Sequence, residues 1–80
     1  MMRVHLLYFA SLRDAARCDR ETVEVQVASL QELYELARAR HAFVLPRSRL
    51  RVARNGAFAD WQEMAVDGDE VAFIPPVSGG

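Results

Sequence analysis

Apolar residues along this chain recur at period two in some stretches and at period three to four in others, and the changes of period mark its elements. "RVHLLYF", residues 3–9, is branched and aromatic enough to be covered on both faces, as a central strand is. "SLRDAAR" follows, where Ser11 is placed to cap a turn or two of helix and Asp14 to answer from the third helical position. "ETVEVQV" alternates, with Val23, Val25 and Val27 on one face and Glu24 and Gln26 on the other, which predicts a half-exposed strand. Ser29 and Glu32 form a second capping-box pattern at the head of "LQELYELARARH". In that segment Leu30, Leu33, Tyr34 and Ala37, with Leu36 beside them, gather on one helical stripe, and Arg38, Arg40 and His41 sit where positive charge suits the helix dipole. Beyond a loop broken by Pro46, two short strand-like runs flank Asn55-Gly56, a strong hairpin signal. Trp61 and Met64 are expected to seal the core, and Asp67-Gly68-Asp69 to turn the chain into a last strand over residues 70–74.

The predicted order of strand, strand, helix and then further strands is most economically satisfied by one main helix packed across a mixed sheet of four to five strands, an α+β fold of the β-grasp kind. That fold sets the first and last strands side by side in parallel, which suits the two most apolar strands here. The 80 residues make one domain with a thin core, since folding at this size hides only roughly 60% of the unfolded surface. The body is expected over residues 1–74 and an extended C-terminal tail over residues 75–80.

Composition narrows the chemistry. The longest apolar run is far short of a membrane span, and "MMRVHLLYFA" lacks a signal peptide's apolar centre, so a cytoplasmic location is expected. Net charge is −1 and no basic stripe stands out, which argues against nucleic acid and anionic lipid as partners. All ten basic side chains are arginine. Cys18 is the only cysteine, so no internal disulfide or thiolate cluster forms, and its surroundings, "ARCDR", do not single it out as a nucleophile. His5 and His41 have no metal-ligand spacing. No metal and no bound cofactor are expected.

What is left is the end, "DGDEVAFIPPVSGG". Pro75 stops the strand because it has no N–H for a ladder, and Pro76 stiffens the exit, so six residues reach roughly 20 Å at about 3.3 Å each. Val77 and Ser78 are compact, and Gly79 and Gly80 have no side chains, so this segment suits a narrow channel. The chemical group it offers there is the α-carboxylate of Gly80, ionised at neutral pH because such groups titrate near about 3.5. A carboxylate is a poor electrophile and must be activated, typically as an acyl-adenylate, before it accepts sulfur or an amine.

The C-terminal motif and "LLYFASLRD" together resemble the ubiquitin-like sulfur carriers, and within them the small subunit of molybdopterin synthase; length and element order agree from end to end. The resemblance implies that an ATP-dependent adenylating enzyme activates Gly80 and that a sulfur donor protein converts it to a thiocarboxylate. It further implies that Pro75, Pro76, Val77, Ser78 and Gly79 enter the large synthase subunit, where sulfur passes to cyclic pyranopterin monophosphate. The assembly implied is a heterotetramer, and ATP is consumed by the activating enzyme. Phe73, with the prolines and Val77, is expected to form an apolar docking patch. A thiamine-pathway sulfur carrier and a ubiquitin-like protein modifier are the alternatives with the same terminal chemistry.

Overall fold

The computed structural model describes residues 1–76; Val77, Ser78, Gly79 and Gly80 lie outside the described residues. Five strands and two helices follow in the order β1 (Met2–Tyr8), α1 (Ala10–Ala16), β2 (Arg20–Val25), α2 (Leu30–His41), a single 3₁₀ turn (Arg47–Arg49), β3 (Arg51–Arg54), β4 (Ala57–Ala59) and β5 (Glu70–Ile74). The sheet order is β2-β1-β5-β3-β4. β1 and β5 run parallel at its centre, while β1 with β2, β3 with β5 and β3 with β4 pair antiparallel. This is the ubiquitin-like β-grasp with α2 lying on one face.

α2 begins and ends where its residues dictate. Ser29 Oγ accepts from the Glu32 amide at 3.1 Å and the Ser29 amide donates to Glu32 Oε1 at 2.8 Å, so two otherwise orphaned N–H groups are satisfied at once. Leu30, Leu33, Tyr34 and Ala37 are fully buried, whereas Leu36 is only partly so. Ala42 closes the helix in the left-handed region at φ 57°, and Arg38 Nε donates to the Phe43 carbonyl at 3.2 Å. The stripe packs on Val4, Leu6 and Tyr8 of β1, Val52 of β3 and Val71 and Phe73 of β5. The aromatic centre is continuous: Tyr34 meets Phe73 edge-on at 5.1 Å, and Trp61 stacks on Phe73 at 6.2 Å.

The β3–β4 turn has Asn55 at φ 52° and Gly56 at φ 88°, the left-handed pair that a two-residue hairpin requires. Arg54 secures the long return to β5. Its Nη1 donates to Glu63 Oε1 at 2.9 Å and its Nη2 to the Met64 carbonyl, while Nε makes an ion-pair contact, without a hydrogen bond, to Asp69 Oδ2 at 3.2 Å.

Three local expectations are corrected. Ser11 does not cap α1: the helix starts at Ala10, Phe9 holds the N-cap position without a side-chain bond, and Ser11 already lies in the first turn. Val23, Val25 and Val27 do not share one buried face. The ladder with β1 stops at Val25, and Val27, past its end where the chain bends toward α2, is exposed. Met64 does not seal the core with Trp61; it is 47% exposed, its backbone bridging to Ser29 at the head of α2.

Candidate functional site at the end of the central strand

β5 is the element that leads into the tail. On one side Tyr8 is opposite Phe73 where β1 ends, and on the other Arg51, the first residue of β3, is opposite Ile74. Both neighbouring ladders therefore run out within a residue of each other, and Pro75 and Pro76 begin where no strand remains to pair with. Pro75 is half-buried and Pro76 exposed.

Alternation along β5 decides which side chains surround this exit. Val71 and Phe73 point beneath α2, and Ala72 and Ile74 point to the opposite, uncovered face of the sheet. Phe73 is completely buried, so it is not a docking residue. The physical reason is volume: the space between helix and sheet takes the large ring, while the open face takes alanine at 72 and leaves a hollow.

That hollow runs across four strands. The register aligns Leu7 of β1, Ala72 of β5, Ala53 of β3 and Phe58 of β4, and a cavity of about 300 Å³ is lined by these residues together with Phe9, Ile74, Gly56 and Glu70. Phe58 is 61% and Phe9 45% exposed, large apolar surface on a face that carries no helix. A second hollow of about 360 Å³ adjoins it at the exit, bounded by Ser48, Arg49, Leu50, Arg51, Phe58, Ile74, Pro75 and Pro76. Sequence patterning did not single out Leu7, Phe9, Phe58 or Ile74. The signal was the parity of "LLYF" and "VAFI", which no strand register within the sequence itself resolves.

The groups whose titration the fold shifts lie elsewhere. Glu21 is on the α2 side, where it accepts from Tyr8 Oη at 3.1 Å and Arg40 Nη1 at 3.2 Å, and pairs with His41 Nε2 at 3.0 Å. Burial alone would raise the Glu21 carboxyl, but the bonds from His41, Tyr8 and Arg40 outweigh it and hold it below the ordinary carboxylate range. Cys18 is pushed up by burial and by Glu21 and Asp19, the opposite of what a nucleophilic thiolate requires. His5 Nδ1 lies 2.8 Å from Thr22 Oγ1 on the uncovered face, and His41 is committed to Glu21. Among the described residues there is no group of three or more His, Cys, Asp or Glu placed to hold a metal ion. No described helix is long and apolar enough to cross a membrane.

Residues 6–80 match the model of the ThiS family. The chain belongs to that family. Curated relatives called molybdopterin synthase sulfur carrier subunit include one from Mycobacterium tuberculosis, 41% identical with both chains covered in full. Another, from Escherichia coli, is 32% identical over 96% of this chain and 99% of its own. Among solved structures, SAMP1 of Haloferax volcanii superposes with a TM-score of 0.84 at 28% identity, covering 98% of this chain and 99% of that one. The tail residues 77–80 fall inside the family match, so the likeness extends through the terminal Gly-Gly.

Proposed function

We propose that this ThiS-family chain is the sulfur carrier subunit of molybdopterin synthase and that its reactive group is the carboxylate of Gly80. The carrying observation is the placement of β5: the central strand ends flush with both neighbours and hands Pro75 and Pro76 out beside an uncovered apolar face. The full-length likeness to relatives of that name supports the same reading. An ATP-dependent enzyme joins the Gly80 carboxylate to AMP with release of pyrophosphate. Hydrosulfide supplied by the sulfur donor then attacks the acyl carbon, AMP leaves, and a thiocarboxylate remains. In the large subunit, the thiocarboxylate sulfur attacks a carbon of cyclic pyranopterin monophosphate and an oxygen substituent leaves that carbon. Water then hydrolyses the thioester so formed, leaving the sulfur on the pterin and returning the terminus to a carboxylate, and two such deliveries complete a dithiolene.

The body contributes recognition. Phe9, Phe58 and Ile74, around the hollow floored by Ala53 and Ala72, are the docking residues in place of Phe73, and the large subunit covers them in a cytoplasmic heterotetramer. Catalytic side chains belong to that partner.

The test is the intact mass of the chain after incubation with activating enzyme, ATP and sulfide. Exchange of one oxygen for sulfur in a C-terminal fragment, dependent on ATP, is expected; no exchange with an enzyme active on another carrier overturns the reading. The likeness to SAMP1, a small archaeal modifier protein, favours a second reading in which the activated Gly80 is joined to an amine of another protein. It predicts larger covalent species in cell extracts, which a carrier does not form.

A further inference from the structure

The acids and bases of this chain are segregated in a way its net charge of −1 conceals. Between Glu35 and Asp60 there are six arginines and no acid. Three of them are neutralised within the fold: Arg38 by Glu35, Arg40 by Glu21, and Arg54 by Glu63 and Asp69. The other three, Arg47, Arg49 and Arg51, make no ion pair and no side-chain hydrogen bond among the described residues. Two of these, Arg49 and Arg51, also sit together. Arg47 and Arg49 belong to the 3₁₀ turn and Arg51 opens β3, and Arg49 and Arg51 line the hollow that contains Pro75 and Pro76. Arg13 on α1 and Arg17 at its C-cap make no ion pair among the described residues either, but they line neither hollow at the exit.

Two of the three are pre-organised. The Arg51 guanidinium lies 3.7 Å from the centre of the Phe58 ring, and Arg47 lies 5.6 Å from that of Trp61. Stacking engages the flat face of a guanidinium and leaves its in-plane fork of N–H donors free, the geometry that receives a carboxylate through two bonds. Asp60 and Glu63 line a hollow with Arg51, but Glu63 is held by Arg54 and by the Asp60 amide, and neither acid pairs with Arg51. An arginine rim with its donors unspent thus borders the apolar docking face at the point where the tail leaves.

Resting on the carrier reading above, we infer that Arg49 and Arg51 dock an acidic segment of the large synthase subunit at the mouth of the channel that accepts the tail. Carboxylates at that mouth fix the rotational setting of the carrier about its exiting tail, which apolar contact with Phe58 and Ile74 alone leaves loose, and they speed encounter at low salt.

The test titrates the purified large subunit with wild-type chain and with an Arg49→Glu, Arg51→Glu double variant, at low and high salt, by calorimetry. Arg49→Gln, Arg51→Gln provides a milder pair, and thermal unfolding checks that each variant is folded. Weakening of Kd on the order of tenfold or more for the reversal, a smaller loss for the glutamines, and a flatter salt dependence in both are expected. Unchanged affinity in the folded variants overturns the inference, as does unchanged affinity together with slower adenylation of Gly80, which assigns the rim to the activating enzyme. Failure of the wild-type chain to bind the large subunit overturns the carrier reading itself, and the docking inference with it.

Discussion

Phe73 and Phe58 face opposite ways from two strands of one sheet that flank β3, and the contrast separates what stabilises this molecule from what it shows a partner. Phe73 is fully buried among Tyr8, Tyr34 and Trp61, so Phe73→Ala is expected to cost about 3–5 kcal/mol, read as a lower denaturant midpoint. Phe58→Ala removes a ring that is 61% exposed and should shift stability by no more than about 0.5 kcal/mol. Its effect should appear in binding instead, as a loss of about 2 kcal/mol in titration of the large subunit, the size of a buried aromatic anchor. Glu21 sets a pH signature. Its carboxyl ionises more readily in the folded protein than in the unfolded chain, so its stabilisation is present above the unfolded value of about 4.3 and is lost as pH falls through the lower, folded one. Glu21→Gln is therefore expected to be less stable than the wild type near neutrality, with the two unfolding midpoints converging in acid. Tyr8 works in the other direction. Burial first, and then Glu21, raise its phenol, so the stability it contributes holds below about pH 10 and is lost with rising pH beyond that.

At the scale of elements, α2 was fully legible because everything that defines it is local. The capping box, the stripe and the basic last turn lie within one stretch of sequence, and Leu30–His41 forms as the pattern predicts. Ser29→Ala should cost about 1 kcal/mol in thermal or denaturant unfolding through loss of one half of that box. The Asn55-Gly56 hairpin was legible for the same reason, since only residues that accept positive φ make the turn. β2 and α1 were less so. The valine alternation continues to Val27, but a strand lasts only as long as its partner, and β1 supplies none beyond the Met2–Val25 pair. Ser11 has the right chemistry for a cap, yet the chain turns one residue earlier, with Ala10 itself at φ 52°, and leaves Ser11 inside the helix.

The whole molecule leads Pro75 and Pro76 out from the central strand of the sheet and keeps its titratable network, around Glu21, on the face covered by α2. Removing Gly80 is thus expected to leave the unfolding transition unchanged and to abolish thiocarboxylate formation, as intact mass would show; sulfur gain by the shortened chain would refute a terminal carrier. The β-grasp body, the parallel pairing of first and last strands and the prolines that end β5 follow from the chain's own order of apolar strands, capping residues and turn residues. Each of those signals acts over a few neighbouring residues or through simple economy of burial. Which face of β5 meets the partner did not follow, because "VAFI" is apolar at every position and a shift of one residue in register exchanges Phe73 with Ala72. Packing settled it: the aromatic rings of Tyr34 and Trp61 occupy one side of the sheet, so the largest β5 side chain joins them. The same placement brings Leu7, Ala53, Phe58 and Arg51 from three other strands around Ala72 and Ile74, and that gathering exists only once the chain has folded.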